Sequence, residues 1–531
     1  MKKKFLLYST MCAALAMTSC QDFLDTMPDN RAEVDSADKV TALLVSAYPT
    51  TTHIVMTEMS SDNAMDNGSR YDVEDLAQEE AYLWEDITST GNDSPQSYWD
   101  ACYAAIAAAN QALQAIEDLG NPASLSAQRG EALMCRAYGH FALADVFCLP
   151  YNPETASTDL GLPYSMAPET QVAPHYERGT MEELYKKIND DIEEALPLIS
   201  DDLYSVPKYH FNRKAAYAFA ARFNLYYKKF EKVIEYANVV LGNTATSVLR
   251  DWNAINSAAS NWDVRVDMYI NASEPANLLL LPVTSSWGYW GGPYSIGTRY
   301  GHAEGLFMTE TVRANGPWGS YANLLPARAV WGLDQKLAVT KIGGYFEYTD
   351  KVNGIGYRKN VIVAFSTDET LLCRAEAYAL QNDFTNATAD INAWFYTHTL
   401  NRVQGSTQDI VDYYNSIDYM PTSVTSDDQR TIKKHINPRG FTVAEGDQEA
   451  LIQCILHLRR IETVHEGLRW QDIKRYGIEI AHNREGLADD ILTVDDPRRA
   501  IQLPADVIDA GLEAVYPRGA GCRSNYAGCS I

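Results

Sequence analysis

The segment ARFNLYYKKFEKVIEYAN (221–238) aligns without gaps on AEAYALQNDFTNATADIN (375–392). Ala221 falls on Ala375, Phe230 on Phe384, Val233 on Ala387 and Asn238 on Asn392. In both copies apolar residues recur at helical spacing. Small residues stand where two helices would approach, and an aromatic marks the turn between them. A helix pair of this kind cannot bury its apolar face alone, so pairs stack. The repeat therefore predicts a mostly α chain built from stacked helix pairs.

Stacked pairs with this pattern are tetratricopeptide-like, and the same periodicity extends outward from them. Helices are expected over 98–120, 125–147 and 180–199, then over the pairs 213–229 with 230–242 and 369–381 with 384–398. Thr180 is the expected N-cap of the third, with Glu183 completing a capping box. A long helix is expected over 447–467, a shorter one over 469–477, and a short one over 40–48. Residues 404–446 read as polar and irregular. One unit is expected over 37–531, with its scaffold at about 98–243 and 367–480. Loop-rich insertions fall at about 49–97, which is polar and irregular, and at about 244–366, which is rich in Trp and Gly and reads as loops, short strands and short helices.

The N-terminus reads MKKKFLLYSTMCAALAMTSC. Three lysines precede a short apolar run, the pattern of a secretory leader over 1–19 that is too short to span a bilayer. The stretch ends on Cys20, as in a bacterial lipobox, so Cys20 is the expected lipidation site and 20–36 a polar tether. Removing the leader takes the formal charge from −26 to about −29, because it carries three Lys and no acid. A surface this acidic disfavours nucleic acid and anionic lipid. Cys522 and Cys529 lie in a Gly-rich tail and could close a small disulfide loop in an oxidising compartment.

The stretch SSWGYWGGPYSIG (285–297) sets large rings on glycine-rich backbone. Gly288, Gly291, Gly292 and Pro293 argue against a regular helix, and a strand would break at its centre. Trp and Tyr offer an apolar face with a polar edge, which suits the C–H face of a sugar ring. Trp287, Tyr289, Trp290, Tyr294, Trp318 and Tyr321 are therefore candidate ligand contacts, with Arg313 and Asn315 as polar partners. Asn67, Arg70, Tyr71 and Trp84 offer the same mixture in the first insertion.

No catalytic residues, metal site or cofactor are expected. Arg459, Arg460, Glu462, Glu466, Arg469 and Asp472 mix both signs at helical spacing, which fits ion pairs bracing packed helices. His465-Glu466 does not begin an HExxH, because position 469 is Arg. DNAMDNGSRYD (62–72) partly matches a calcium loop through Asp62 and Asp66, but Ala64 and Asn67 break the pattern. Neither a nucleophile elbow nor a phosphate-cradling glycine loop is present.

Several segments together resemble the SusD/RagB family of surface lipoproteins. They are CQDFLDTMP (20–28), YWDACYAAIAAAN (98–110), RGEALMCRAYGHFALADVFCLPY (129–151), GLPY (161–164), LLCRAEAYAL (371–380), RRIETVHEGLRWQDIKRYG (459–477) and DDPRRAIQLP (495–504), in family order. VYPRG (515–519) departs from the family's usual ending. The resemblance implies a SusD-like helical scaffold and an outer-membrane, lipid-anchored, cell-surface location. It also implies a partner, a TonB-dependent SusC-like transporter, to which a captured nutrient is handed; the aromatic, Gly-rich loops favour a glycan as that nutrient, and the acidic surface a neutral one. A peptide ligand, or a lid without ligand affinity of its own, are the alternatives.

Overall fold

The computed structural model describes residues 34–169, 175–294 and 297–517. The leader, Cys20 and the Cys522/Cys529 tail lie outside the described residues. No helix among the described residues is long and apolar enough to cross a membrane.

Helices dominate. The scaffold is α1 (Pro95–Asp118), α2 (Ser126–Phe147), α3 (Met181–Ala195), α4 (Arg213–Tyr226), α5 (Phe230–Leu241), α6 (Thr367–Leu380), α7 (Phe384–His398) and α8 (Asp447–Glu462). Each starts within three residues of its expected position because its apolar period repeats over three turns or more. Thr180 and Glu183 form the expected capping box on α3. Neighbours pack in sequence: α1 on α2, α2 on α3, α4 on α5, α5 on α6, and α6 on α7 and α8.

The repeat is real down to single hydrogen bonds. Lys228 and Asn382, matched positions in the two copies, both take a left-handed backbone, with φ of 64° and 63°. The following residues then donate back in the same way, Lys229 N to Asn224 O and Asp383 N to Tyr378 O, each at 2.9 Å. Ala220, Ala221, Ala375, Ala377 and Ala379 are buried where α4, α5, α6 and α7 meet. Side chains this small let helix axes approach closely.

A buried arginine clamp locks two of the helix pairs. Arg374 of α6 binds both oxygens of Asp390 of α7 at 2.9 and 2.7 Å, and reaches Asn238 of α5 at 2.7 Å. Arg136 of α2 repeats the arrangement on Asp191 of α3 at 2.7 and 2.8 Å and on Asn110 of α1 at 3.1 Å. The bidentate fork fixes how each pair seats on the helix before it.

The insertions carry more order than their polarity suggests. Short helices occupy Ile54–Ser60, Leu76–Tyr82, Trp252–Ser257 and Trp262–Tyr269, and a further one, Thr407–Asn415, lies in the segment 404–446 that reads as irregular. Short helices are expected in the second insertion; elsewhere, at seven to nine residues, they offer too few periods to be read from spacing. The strands of the insertions are β1 (Met65–Asp66), β2 (Asn277–Thr284), β3 (Tyr300–Gly301), β4 (Val330–Leu333), β5 (Lys336–Val339), β6 (Tyr345–Asp350) and β7 (Ile355–Ser366). β2, β7 and β6 form an antiparallel sheet in that order. Beneath them sits a second, smaller core of Ile54, Val55, Met59, Trp262, Trp287, Trp290, Tyr300, Ala338 and Ile342.

Candidate functional site

The two insertions form one body. β1 pairs with β3 through Met65 and Gly301 and through Asp66 and Tyr300. Asp72 bridges Thr298. The Asn67 side chain donates to the carbonyls of Thr298 at 3.1 Å and Gln335 at 3.0 Å. Arg299 grips both oxygens of Asp66 at 3.0 and 3.1 Å. Asn67 is therefore a staple between the segments in this structure.

The tryptophans expected to meet ligand lie inside. Trp287 is 3% exposed and Trp290 6%. Residues Trp287–Trp290 form a single helical turn, short of the regular helix that the glycines argue against. One turn needs few intrahelical hydrogen bonds, so the glycines do not prevent it. Asp93 fixes the entry by accepting from Ser285 Oγ and, at 2.8 Å, from Ser286 N. At the exit Lys336 Nζ donates to the carbonyl oxygens of Tyr289, Trp290 and Tyr294. Trp287 Nε1 donates to His465 O at 2.9 Å.

The glycines explain the burial. A Cβ built on Gly291 would stand 2.5 Å from the Trp287 ring. The ring lies flat on backbone that only glycine leaves open. Trp318 repeats the device, since a Cβ on Gly316 would meet its ring at 2.4 Å. Trp318 is 4% exposed and packs on Trp394, Phe395 and His457. Trp84 is also buried, stacked 4.1 Å from His482 with Nε1 donating to Ser60 O. Trp84, Trp287, Trp290 and Trp318 are thus core rings in this structure.

The smaller rings reach the surface. Tyr289 and Tyr294 are half-buried, with centroids 5.7 Å apart. Arg358 lies 4.4 Å over the Tyr289 ring. Tyr294 donates to Asp263 and Tyr345 to Asp267, each at 2.7 Å. Asp263 and Asp267 are exposed one turn apart on the helix Trp262–Tyr269. Burial together with the Asp263 carboxylate pushes the Tyr294 hydroxyl up to about 12. Half-buried Trp331 stands nearby, edge-on to Trp262 at 5.8 Å, with Arg265 over it at 5.1 Å. Trp331, Tyr345, Asp263, Asp267 and Arg358 were not among the sequence candidates. Tyr345 follows Gly343-Gly344, the same glycine–aromatic signature as the stretch that was singled out.

The remaining candidates form two smaller groups. Exposed Arg70 lies 4.8 Å from the Tyr71 ring, and Tyr71 accepts from Gln335 Nε2 at 2.9 Å. Arg313 sits 5.8 Å from the Tyr321 ring, and Asn315 accepts from Tyr321 N at 3.3 Å. The 313–321 group makes these contacts within its own loop.

The charged segment after α8 is a brace, as expected, but its partners come from distant segments. Arg459 binds Asp472 at 3.0 Å and Glu369 at 3.3 Å. Arg460 binds Glu310 at 2.8 Å, and Arg469 holds both oxygens of Asp62 at 2.8 Å. Glu466 accepts from Tyr269 at 2.7 Å and pairs with Lys341 at 3.4 Å. Burial alone would raise the Glu310 carboxyl, yet Lys434, Arg460 and Arg430 outweigh it and hold it at about 2. Burial acts the same way on Asp62, where Arg460, Arg469 and Lys434 hold the carboxyl well below the usual range. Both carboxylates of the partial calcium motif, Asp62 and Asp66, are therefore engaged with arginine.

Comparison with known proteins agrees with this fold. Residues 22–225 match the SusD-like family described as starch-binding and associating with the outer membrane. A SusD superfamily protein from Bacteroides thetaiotaomicron VPI-5482 superposes on 90% of this chain and 99% of its own, with TM-score 0.60 at 18% identity. One from Bacteroides fragilis covers 89% and 96%, with TM-score 0.59 at 16% identity. A SusD-like carbohydrate binding protein from Bacteroides vulgatus ATCC 8482 covers 89% and 96%, with TM-score 0.57 at 15% identity. Likeness at these identities establishes the fold. No curated protein matches the chain.

Proposed function

We propose that this chain, SusD-like in fold and in the sequence of residues 22–225, captures a neutral oligo- or polysaccharide without cleaving it. It passes the ligand to a TonB-dependent, SusC-like transporter, held at the cell surface of the outer membrane by lipid on Cys20. The observation that carries this reading is the patch of half-buried rings, Tyr289, Tyr294, Tyr345 and Trp331, bordered by Asp263, Asp267 and Arg358. Such rings present an apolar face to pyranose C–H groups, while the flanking carboxylates and guanidinium take the hydroxyls. Arg70, Tyr71, Arg313, Asn315 and Tyr321 are assigned as outer contacts along an extended ligand. Trp287 and Trp290 support the face from behind, in the small core against which Tyr289 and Tyr294 pack.

The sequence-family description favours an α-glucan as the first ligand to try. Native electrophoresis through gels containing neutral polysaccharides tests the reading. Retardation by at least one of them is expected, with no turnover of the polymer. Retention of peptides with no glycan retarding the protein would replace glycan by peptide as the ligand class.

A further inference from the structure

Away from the ring patch, the scaffold brings three potential ligands together. Asp368 lies in the first turn of α6, His398 is the last residue of α7 and Glu462 is the last residue of α8. Their donor atoms all lie within 4.8 Å of one another. Asp368 and His398 are fully buried and Glu462 is 4% exposed.

One atom of the cluster lacks a partner. His398 Nε2 contacts Glu462 Oε2 at 3.0 Å and stands 3.9 Å from Asp368 Oδ1, while Asp368 Oδ2 makes no hydrogen bond. A buried polar atom left unpaired costs about 1–3 kcal/mol, so Asp368 Oδ2 calls for a partner. The same three side chains are also held by their surroundings. His398 Nδ1 faces Trp394 O at 3.1 Å, Trp394 Nε1 donates to Glu462 Oε2 at 3.0 Å, and Arg250 N donates to Asp368 Oδ1 at 3.1 Å. Imidazole–carbonyl and carboxylate–donor contacts of this kind orient metal ligands from behind.

Charge points the same way. The neighbouring buried carboxylates Glu369, Glu376 and Asp472 each pair with arginine. Among the described residues no Lys or Arg side chain pairs with Asp368 or Glu462. The Arg250 guanidinium is turned instead to Tyr269 O and Asn277.

We propose that Asp368, His398 and Glu462 bind one divalent transition-metal ion of the zinc class, which ties α6, α7 and α8 together. One imidazole nitrogen and two carboxylate oxygens suit such an ion. Ligands about 2.1 Å from a tetrahedral ion stand about 3.4 Å apart. The 3.0 and 3.9 Å separations bracket that spacing. Trp394 stacks on the imidazole at 4.2 Å and Trp252 meets it edge-on, so the three ligands are shielded from solvent, with the fourth position of a tetrahedral ion left to water. Spacing rules miss it because each ligand comes from a different helix.

The test is refolding the full chain in EDTA, in Zn2+ or in Co2+. Metal content is measured after gel filtration, with the Tm and the visible spectrum. One equivalent of zinc, a higher Tm with zinc than in EDTA, and cobalt absorption bands are expected. His398→Ala and Asp368→Asn should reduce bound zinc to the EDTA background. If those variants do not fold, the wild-type metal content and the cobalt spectrum decide alone. A wild-type chain that retains no more zinc than the EDTA control would overturn the proposal. Variants that keep a full equivalent of zinc would overturn it equally.

Discussion

The indole of Trp287 lies against the backbone of Gly291, in space that a Cβ on Gly291 would enter at 2.5 Å. The contact makes a glycine-rich stretch part of a core. Gly291→Ala should therefore destabilise the fold by about 1–3 kcal/mol through overpacking. Trp287→Ala should cost about 3–5 kcal/mol through the cavity it leaves. Urea unfolding measures both. Costs near zero would place the ring outside the core.

The clamp on Arg374 makes a separate prediction. Arg374→Ala leaves Asp390 buried without its cation, so a loss of about 3–5 kcal/mol is expected. Replacing both partners by apolar residues, Arg374→Met with Asp390→Leu, should recover most of that loss. A double-mutant cycle read by denaturant midpoints checks the coupling. Additive losses would mean that the pair does not act as a unit.

Acid sensitivity follows from Glu310. Its folded carboxyl is held at about 2, against 4.5 when free. A depressed carboxyl stabilises the fold above its unfolded value, and that stability is lost as pH falls through the folded value. Between pH 6 and pH 2 this group should withdraw about 3 kcal/mol. Glu310→Gln, less stable at pH 6 because three cations lose a partner, should show a correspondingly shallower fall. Equal slopes in the two proteins would remove Glu310 from the acid response.

Glu58 acts with the opposite sign. Burial raises its carboxyl to about 7. The folded chain then keeps a proton that the unfolded chain releases, so stability falls as pH rises from about 4.5 to 7. Glu58→Gln should flatten the Tm profile over that window, as differential scanning calorimetry would record. An unchanged profile would show that Glu58 is ionised in the fold.

The scaffold was legible because its signals repeat. Ala221 and Ala375, Phe230 and Phe384 carry the helix-pair pattern in the chain itself, and the left-handed turn at Lys228 and Asn382 follows from it. The charged residues from Arg459 to Asp472 also read correctly as braces, but their partners Asp62, Glu310 and Glu369 are brought in only by tertiary folding. The ring stretch misled for a physical reason. Glycine beside tryptophan signals either flexible exposed backbone or backbone on which a ring can lie, and the sequence does not distinguish them. In the folded chain the largest rings turn inward, and the phenols of Tyr289 and Tyr294 are left at the surface.

The central claim, that the tyrosine face rather than the tryptophans meets the ligand, is tested by Tyr289→Ala with Tyr294→Ala. The measurement is the migration of this double variant in the polysaccharide gel that retards the wild type, alongside its Tm. The account predicts loss of retardation with a nearly unchanged Tm. Full retardation by a folded double variant would contradict it.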